Sequence, residues 1–228
     1  MIAYGFVTFF LMFAALYAIF IYAPEEKTMG ITQKIFYLHV SSAFIAFLGF
    51  FITFIGSIFY LYKKEPGFDI LAACSAEIGV LFCSIVLITG PLWAKPIWNV
   101  WWTWDPRLTT TLVLWFVYIA YLMLRAATAE NKRANISAVL GIIGFVNVPI
   151  TFLAARLFRT IHPVVITSSS INISSAMKHT LVLTLGAFCL FFFFLLLSRM
   201  RLEGSKIKLA ELTDMLEDLF EEKCVVLN

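Results

Sequence analysis

The residues able to do chemistry in this chain are few, and most lie close together. Five of the six tryptophans (Trp93, Trp98, Trp101, Trp102 and Trp104) fall within TGPLWAKPIWNVWWTWDPRLTT, residues 89 to 110. Indoles gather at membrane interfaces because the ring is apolar while its N–H prefers water. An interfacial belt accounts for one or two. Five, interleaved with Pro91, Pro96 and Pro106, ask for another role. The prolines are expected to keep this loop from becoming helical, so that the rings fan across a surface. Such a surface suits a large, flat, apolar ligand with a few polar groups at its edge. The edge candidates are Lys95, Asp105 and Arg107. A guanidinium such as that of Arg107 grips a carboxylate through two parallel hydrogen bonds. Asp105 has a second reading, which is favoured: Asp before proline starts a turn and caps the helix expected near Leu108.

The three histidines are His39 in YLHVSSA, His162 in RTIHPVV and His179 after Lys178. A lone histidine at a helix end is usually only interfacial. Two on separate loops flanking an aromatic platform are a stronger pattern, because iron in a planar macrocycle takes one ligand from each face. A flat, apolar ligand, anionic at its edge and centred on a metal, describes haem. His39 and His162 are the candidate iron ligands, Arg107 and Arg159 the candidate partners of its carboxylates, and His179 a spectator. The four cysteines form no CxxC or CxxCH motif and read as small buried hydrophobes. Glu77 stands alone in an apolar window, either as a witness to a transport pathway or as a protonated structural group near Ser75 and Ser84.

The elements that must position these residues follow from composition. The chain has 228 residues, 61% hydrophobic and 14% charged, where a soluble domain carries about 25% charge. Disorder and a soluble single core are both excluded. No dense basic face points to nucleic acid. Charge-free windows mark the spans at Met1–Pro24, Val40–Tyr62, Leu108–Leu124, Ala134–Ala155 and Thr180–Ser198, and Ile70–Leu92 adds a sixth interrupted by Glu77. Each is near the 20 or so apolar residues that cross a bilayer as a helix. The fold class is therefore all-α: a polytopic membrane protein of six transmembrane helices, with the tryptophan loop between helices 3 and 4.

Six spans place both termini on one side. That side carries ten Lys/Arg, in denser short connections, against seven on the other, so the positive-inside rule makes the termini cytoplasmic. The outer side then holds seven bases against three acids, a surplus suited to an anionic ligand. Residues 1–200 form the membrane domain. Residues 201–228 read as a cytoplasmic amphipathic tail, with Leu212, Met215, Leu216, Leu219 and Phe220 at helical spacing among acids, resting on membrane lipid or a partner.

The pattern TG-x-x-W-x-K-P-x-W-x-x-W-W-x-W-D-P-R-L-T, as it stands at residues 89–109, resembles the WWD domain of the CcmC family, the haem exporter proteins C of System I cytochrome c maturation. Similarity extends over about Ile31–Met200, including YLHV at Tyr37–Val40 and the stretch at Asn147–Ile150 that precedes His162. The chain departs from the family at Ala94, where Gly is usual, at Ser41 in place of Pro, and around His162, where Ile161 and Pro163 replace an LHQ context. The resemblance implies a protein of the bacterial inner membrane that holds non-covalent, b-type haem at its periplasmic face. His39 and His162 would be axial ligands and the tryptophans a platform. It further implies delivery to a membrane-anchored haem chaperone, alongside an ABC-type complex with ATP-binding and permease subunits and a small single-span subunit. No Walker motif is present, so no ATPase or other enzyme activity is expected of this chain. Rival readings are a cytochrome c synthase (haem lyase) with a related loop, generally longer and richer in histidine, and a b-type electron-transfer anchor, which needs paired histidines within the spans.

The assigned sidedness is testable by cysteine labelling. An impermeant thiol reagent should reach Ser168→Cys in intact cells, and Asn131→Cys only after lysis. The opposite result inverts the topology.

Overall fold

A computed structural model describes residues 1–27, 29–157 and 174–226. Among these, helices α1 (Ile2–Tyr17), α2 (Lys34–Lys63), α3 (Pro66–Trp98), α4 (Pro106–Ala127), α5 (Glu130–Phe145), α6 (Asn147–Leu157) and α7 (Ser175–Val226) account for nearly everything. Helix is what the apolar runs dictate, because a backbone in lipid must satisfy its own hydrogen bonds. Six helical segments are long and apolar enough to span a membrane, α5 and the start of α6 together forming the fifth. His162, Arg159 and Ser168 lie outside the described residues.

The punctuation is local chemistry. The first span closes with a π-helical turn, Ala18–Tyr22, before Ala23 turns extended ahead of Pro24. Lys64 adopts the left-handed conformation (φ 59°) and its N–H returns to Tyr60 O, ending α2. Pro66 then opens α3 at the first helical position. The break between α5 and α6 falls at Val146, just before Pro149, whose missing N–H cannot serve Phe145. The Asn147 side-chain amide ties that break to Thr110 O at 3.2 Å.

The antiparallel pair α2 and α3 is the centre of the bundle and makes its most extensive packing. Small residues let the two backbones touch. A Cβ at Gly49 would sit 3.0 Å from Gly79 Cα and Ser75 O, and one at Gly56 would sit 3.1 Å from Phe68 O. Such steps substitute for hydrophobic pressure, which lipid does not supply. Around this pair, Phe50 stacks on Tyr118 of α4 (centroids 3.8 Å) and Phe82 meets Phe188 and Phe191 of α7.

Charges lock the end of the bundle where α2 meets α3. Arg125 forms a two-pronged bond to Asp69 (2.7 and 2.6 Å), with both side chains largely buried. Glu77 is not satisfied by Ser75 or Ser84, as the sequence offers. Arg199 of α7 grips both of its oxygens, at 2.6 and 3.0 Å, and also bonds Glu203. Ser84 instead accepts from Trp115 Nε1 at 2.8 Å. The tail after Arg201 is a direct continuation of α7, with Leu209, Leu212, Met215 and Leu216 all exposed.

The α2–α3 contact sets an expectation for stability. Gly49→Ala overpacks a backbone contact and should cost about 1–3 kcal/mol. Gly186→Ala, where a Cβ meets nothing within 4 Å, should cost nothing. Thermal unfolding of the detergent-solubilised variants checks this, and equal midpoints would refute the close-contact account.

Candidate haem site

The expected irregular loop is half helix. α3 continues through Pro91 and Pro96 to Trp98 and stops at Asn99, which adopts the left-handed conformation (φ 57°). Proline is tolerated in membrane helices where neighbouring groups take up the freed backbone bonds. Trp93 and Trp98 therefore stand on α3, while Trp101, Trp102 and Trp104 lie on the short connection to α4. The five indoles divide by environment. Trp93 is buried, at 3% exposure, packed on Phe36 and Trp98. Trp101 and Trp104 are exposed at 57% and 76%. Trp102 lies between them in burial, edge-on to Trp104 with centroids 5.8 Å apart.

His39 sits in the second turn of α2, buried at 6% exposure, its ring 5.9 Å from that of Trp93. Its Nδ1 lies 2.9 Å from Thr89 Oγ1 on α3. Thr89 gives its one hydroxyl proton to Ile85 O at 2.7 Å. With its proton so placed, the hydroxyl is suited to accept from Nδ1, the tautomer in which Nε2 carries the lone pair. This is how metal-binding histidines are oriented elsewhere: an oxygen behind one nitrogen fixes the tautomer of the other. Gly90 faces the same ring, and a Cβ there would sit in ordinary contact with His39 Cε1 at 3.5 Å.

Beside His39 is a slot enclosing about 570 Å³ of empty space, lined mainly by Phe47, Val86, Trp102, Arg107, Leu108 and Thr111. A second hollow of about 310 Å³ adjoins it under Trp98, Trp101 and Thr103, sharing Gly90, Pro91, Trp102 and Leu108. Together they offer apolar walls, one imidazole and one guanidinium. Trp102 Nε1, Thr103 Oγ1 and Thr109 Oγ1 are buried with no hydrogen-bond partner among the described residues. Trp102 and Thr103 line the hollows, and donors at the rim of an apolar slot suit a ligand that brings its own acceptors. The donor set fits haem.

The structure thus brings together His39, Trp93, Trp98, Trp102 and Arg107. It assigns other work to two candidates. Asp105 is the N-cap of α4, its Oδ1 accepting from Arg107 N (2.9 Å) and Leu108 N (3.2 Å). Lys95 donates from Nζ to Asn99 O (3.2 Å) and Oδ1 (2.9 Å), closing the end of α3. His179 is exposed in the first turn of α7. Sequence reading missed Thr89 as the partner of His39. The signal was present, because Thr89 and Trp93 are four apart and share a face once α3 runs past Pro91.

Residues 1–213 match the CcmC family, described as Heme exporter protein C. A ccmC-like mitochondrial protein of cytochrome c biosynthesis from Marchantia polymorpha is 33% identical over 67% of this chain and 65% of its own length. Heme exporter protein C of Bradyrhizobium diazoefficiens is 34% identical over 61% of this chain and 54% of its own length. That of Paracoccus denitrificans is 32% identical over 83% of this chain and 80% of its own length. The chain thus spans less than two thirds of the first two relatives. With the family match covering residues 1–213 and tryptophans, slot and His39 in one place, this chain belongs to the Heme exporter protein C family.

Proposed function

We propose that this protein handles haem for c-type cytochrome maturation, binding it at one membrane face and passing it on without catalysing a reaction itself. The observation that carries this reading is the buried His39, held at Nδ1 by the Thr89 hydroxyl, beside a slot that Trp102 and Arg107 line. Haem is cargo here, held non-covalently, with His39 Nε2 on one face of the iron and His162 on the other. Trp101 and Trp104, the exposed indoles, offer the porphyrin or a receiving protein their rings. Arg107 and Arg159 would hold the propionates. The buried donors of Trp102 and Thr103 would add to the same edge. Asp105 and Lys95 contribute by closing the two helix ends that frame the platform. The receiver is a membrane-anchored haem chaperone. The setting is the bacterial inner membrane, with both termini cytoplasmic and the haem site periplasmic, alongside an ABC-type complex of ATP-binding, permease and small single-span subunits.

Protein purified from a haem-replete host should show a Soret band. His39→Ala and His162→Ala should each alter it and weaken retention, with added imidazole partly restoring both. Thr89→Val, which removes the acceptor behind His39, should keep a Soret band but lower haem affinity by about 10–100-fold. Wild-type spectra in both histidine variants would overturn the axial assignment. Arg107→Ala and Arg159→Ala act at the edge and not at the metal. Each should weaken binding by about ten-fold or more, while the haem that remains looks native. Unchanged affinity in both would leave the propionates without these partners.

A further inference from the structure

The end of the bundle away from the tryptophans contains a cleft enclosing about 1320 Å³ of empty space, between α3, α4, α5 and α7. Its walls carry charge of both signs, and most of it is internally spent. Asp69 is taken by Arg125, and Glu77 and Glu203 by Arg199. Glu130 and Arg133, one turn apart on α5, also line the cleft. Arg133 uses Nε on Thr128 O (3.3 Å), and its two terminal nitrogens meet no partner among the described residues. Glu130 likewise enters no ion pair there. One cation and one anion, about 5–6 Å apart at their Cβ atoms by helical spacing, remain for something else.

A second feature adjoins the cleft and is independent of the charges. α3 is the most buried of the six spans, yet Leu81, Ile88 and Leu92 are 50%, 62% and 48% exposed. With Glu77 they fall on one face of the helix. That face lies between two neighbours: Ser84 receives Trp115 from α4 on one flank, and Phe82 meets Phe188 of α7 on the other. α3 packs against both α4 and α7, while α7 packs extensively against neither α4 nor α5. An apolar groove therefore leads from the charged cleft along α3. From Glu77 to Ile88 the rise is about 16 Å, close to the half-thickness of a bilayer's hydrocarbon core.

We propose that this cleft and groove bind one zwitterionic phospholipid, its phosphate on Arg133, its ammonium on Glu130 and an acyl chain over Leu81 and Ile88. With Lys206 also on Glu203 at 3.1 Å, the wall charges balance. A leftover charge of each sign favours an ethanolamine headgroup over an anionic lipid or an apolar helix. The site stands apart from the haem reading, because none of its residues lines the slot beside His39.

Native mass spectrometry of the delipidated full-length protein tests this, with phosphatidylethanolamine and phosphatidylglycerol added back separately as probes. Phosphatidylethanolamine should bind once per chain, and its affinity should fall about ten-fold in Arg133→Gln and in Glu130→Gln. Phosphatidylglycerol should bind more weakly and be indifferent to Glu130→Gln. Leu81→Trp fills the groove without touching charge and should also expel the lipid. A diazirine amino acid at Ile88 should yield, in membranes, an adduct of phospholipid mass. Equal binding of the two lipids, equal retention in all variants, or a polypeptide adduct at Ile88 would each overturn the proposal.

Discussion

The contact of α2 with α3 at Gly49 and Gly79 sets the geometry on which the site depends. A Cβ at Gly49 has no place, so the two backbones are held at a distance that only small residues permit. The contact also fixes register. Ten residues from Gly49 toward the tryptophan end stands His39. Ten residues from Gly79 in the same direction stands Thr89, and these two meet at 2.9 Å. In the other direction, Gly56 reaches Ala72 by the same seven-residue step on both helices. A slip of one residue would rotate a helical position by about 100° and carry Thr89 away from the imidazole. The packing step and the hydrogen bond therefore specify the same register.

The two ends of the bundle solve different problems. At the α2–α3 end, charged groups reach into an apolar setting and are matched by guanidinium groups: Arg125 for the largely buried Asp69, Arg199 for the partly exposed Glu77. At the opposite end, closure comes from aromatic packing and from helix caps, Asp105 on α4 and the Lys95–Asn99 pair on α3. The ion pairs leave few donors unspent. The aromatic end leaves Trp102 Nε1 and two threonine hydroxyls buried without partners among the described residues. Other buried hydroxyls without such partners, those of Ser57, Ser75, Ser137, Tyr118 and Tyr121, lie within the bundle, but at the slot it is Trp102 and Thr103 that face the hollows.

Much of this was legible in the sequence, for identifiable reasons. Five charge-free windows and a sixth holding only Glu77 locate the six spans, because charge is costly in hydrocarbon residue by residue. The Asp-Pro step at 105–106 announces the start of α4, because an N-cap is a local bond within three residues. Two features were not legible. Arg199 lies 122 positions from Glu77, and no local pattern links them. The helicity of residues 89–98 was hidden by Pro91 and Pro96. Proline's rule is drawn from water, where an alternative conformation is solvated; at membrane depth a frayed strand would expose far more backbone than the bonds that two prolines delete.

That helicity is also what gives the site its chemistry. Thr89 can hand its proton to Ile85 O only because α3 is still helical at this point, with the carbonyl four residues back in reach. In an irregular loop that carbonyl would be lost as a partner. The continued helix supplies it, which suits Thr89 to accept from Nδ1 and leaves Nε2 as the nitrogen for a ligand. The same continuation carries Trp93 and Trp98 along one rigid element, so the ring that flanks His39 and the hydroxyl that orients it move together. A loop would position five indoles loosely. A helix that persists past its prolines fixes a nitrogen, two of those indoles and one wall of the slot with a single backbone.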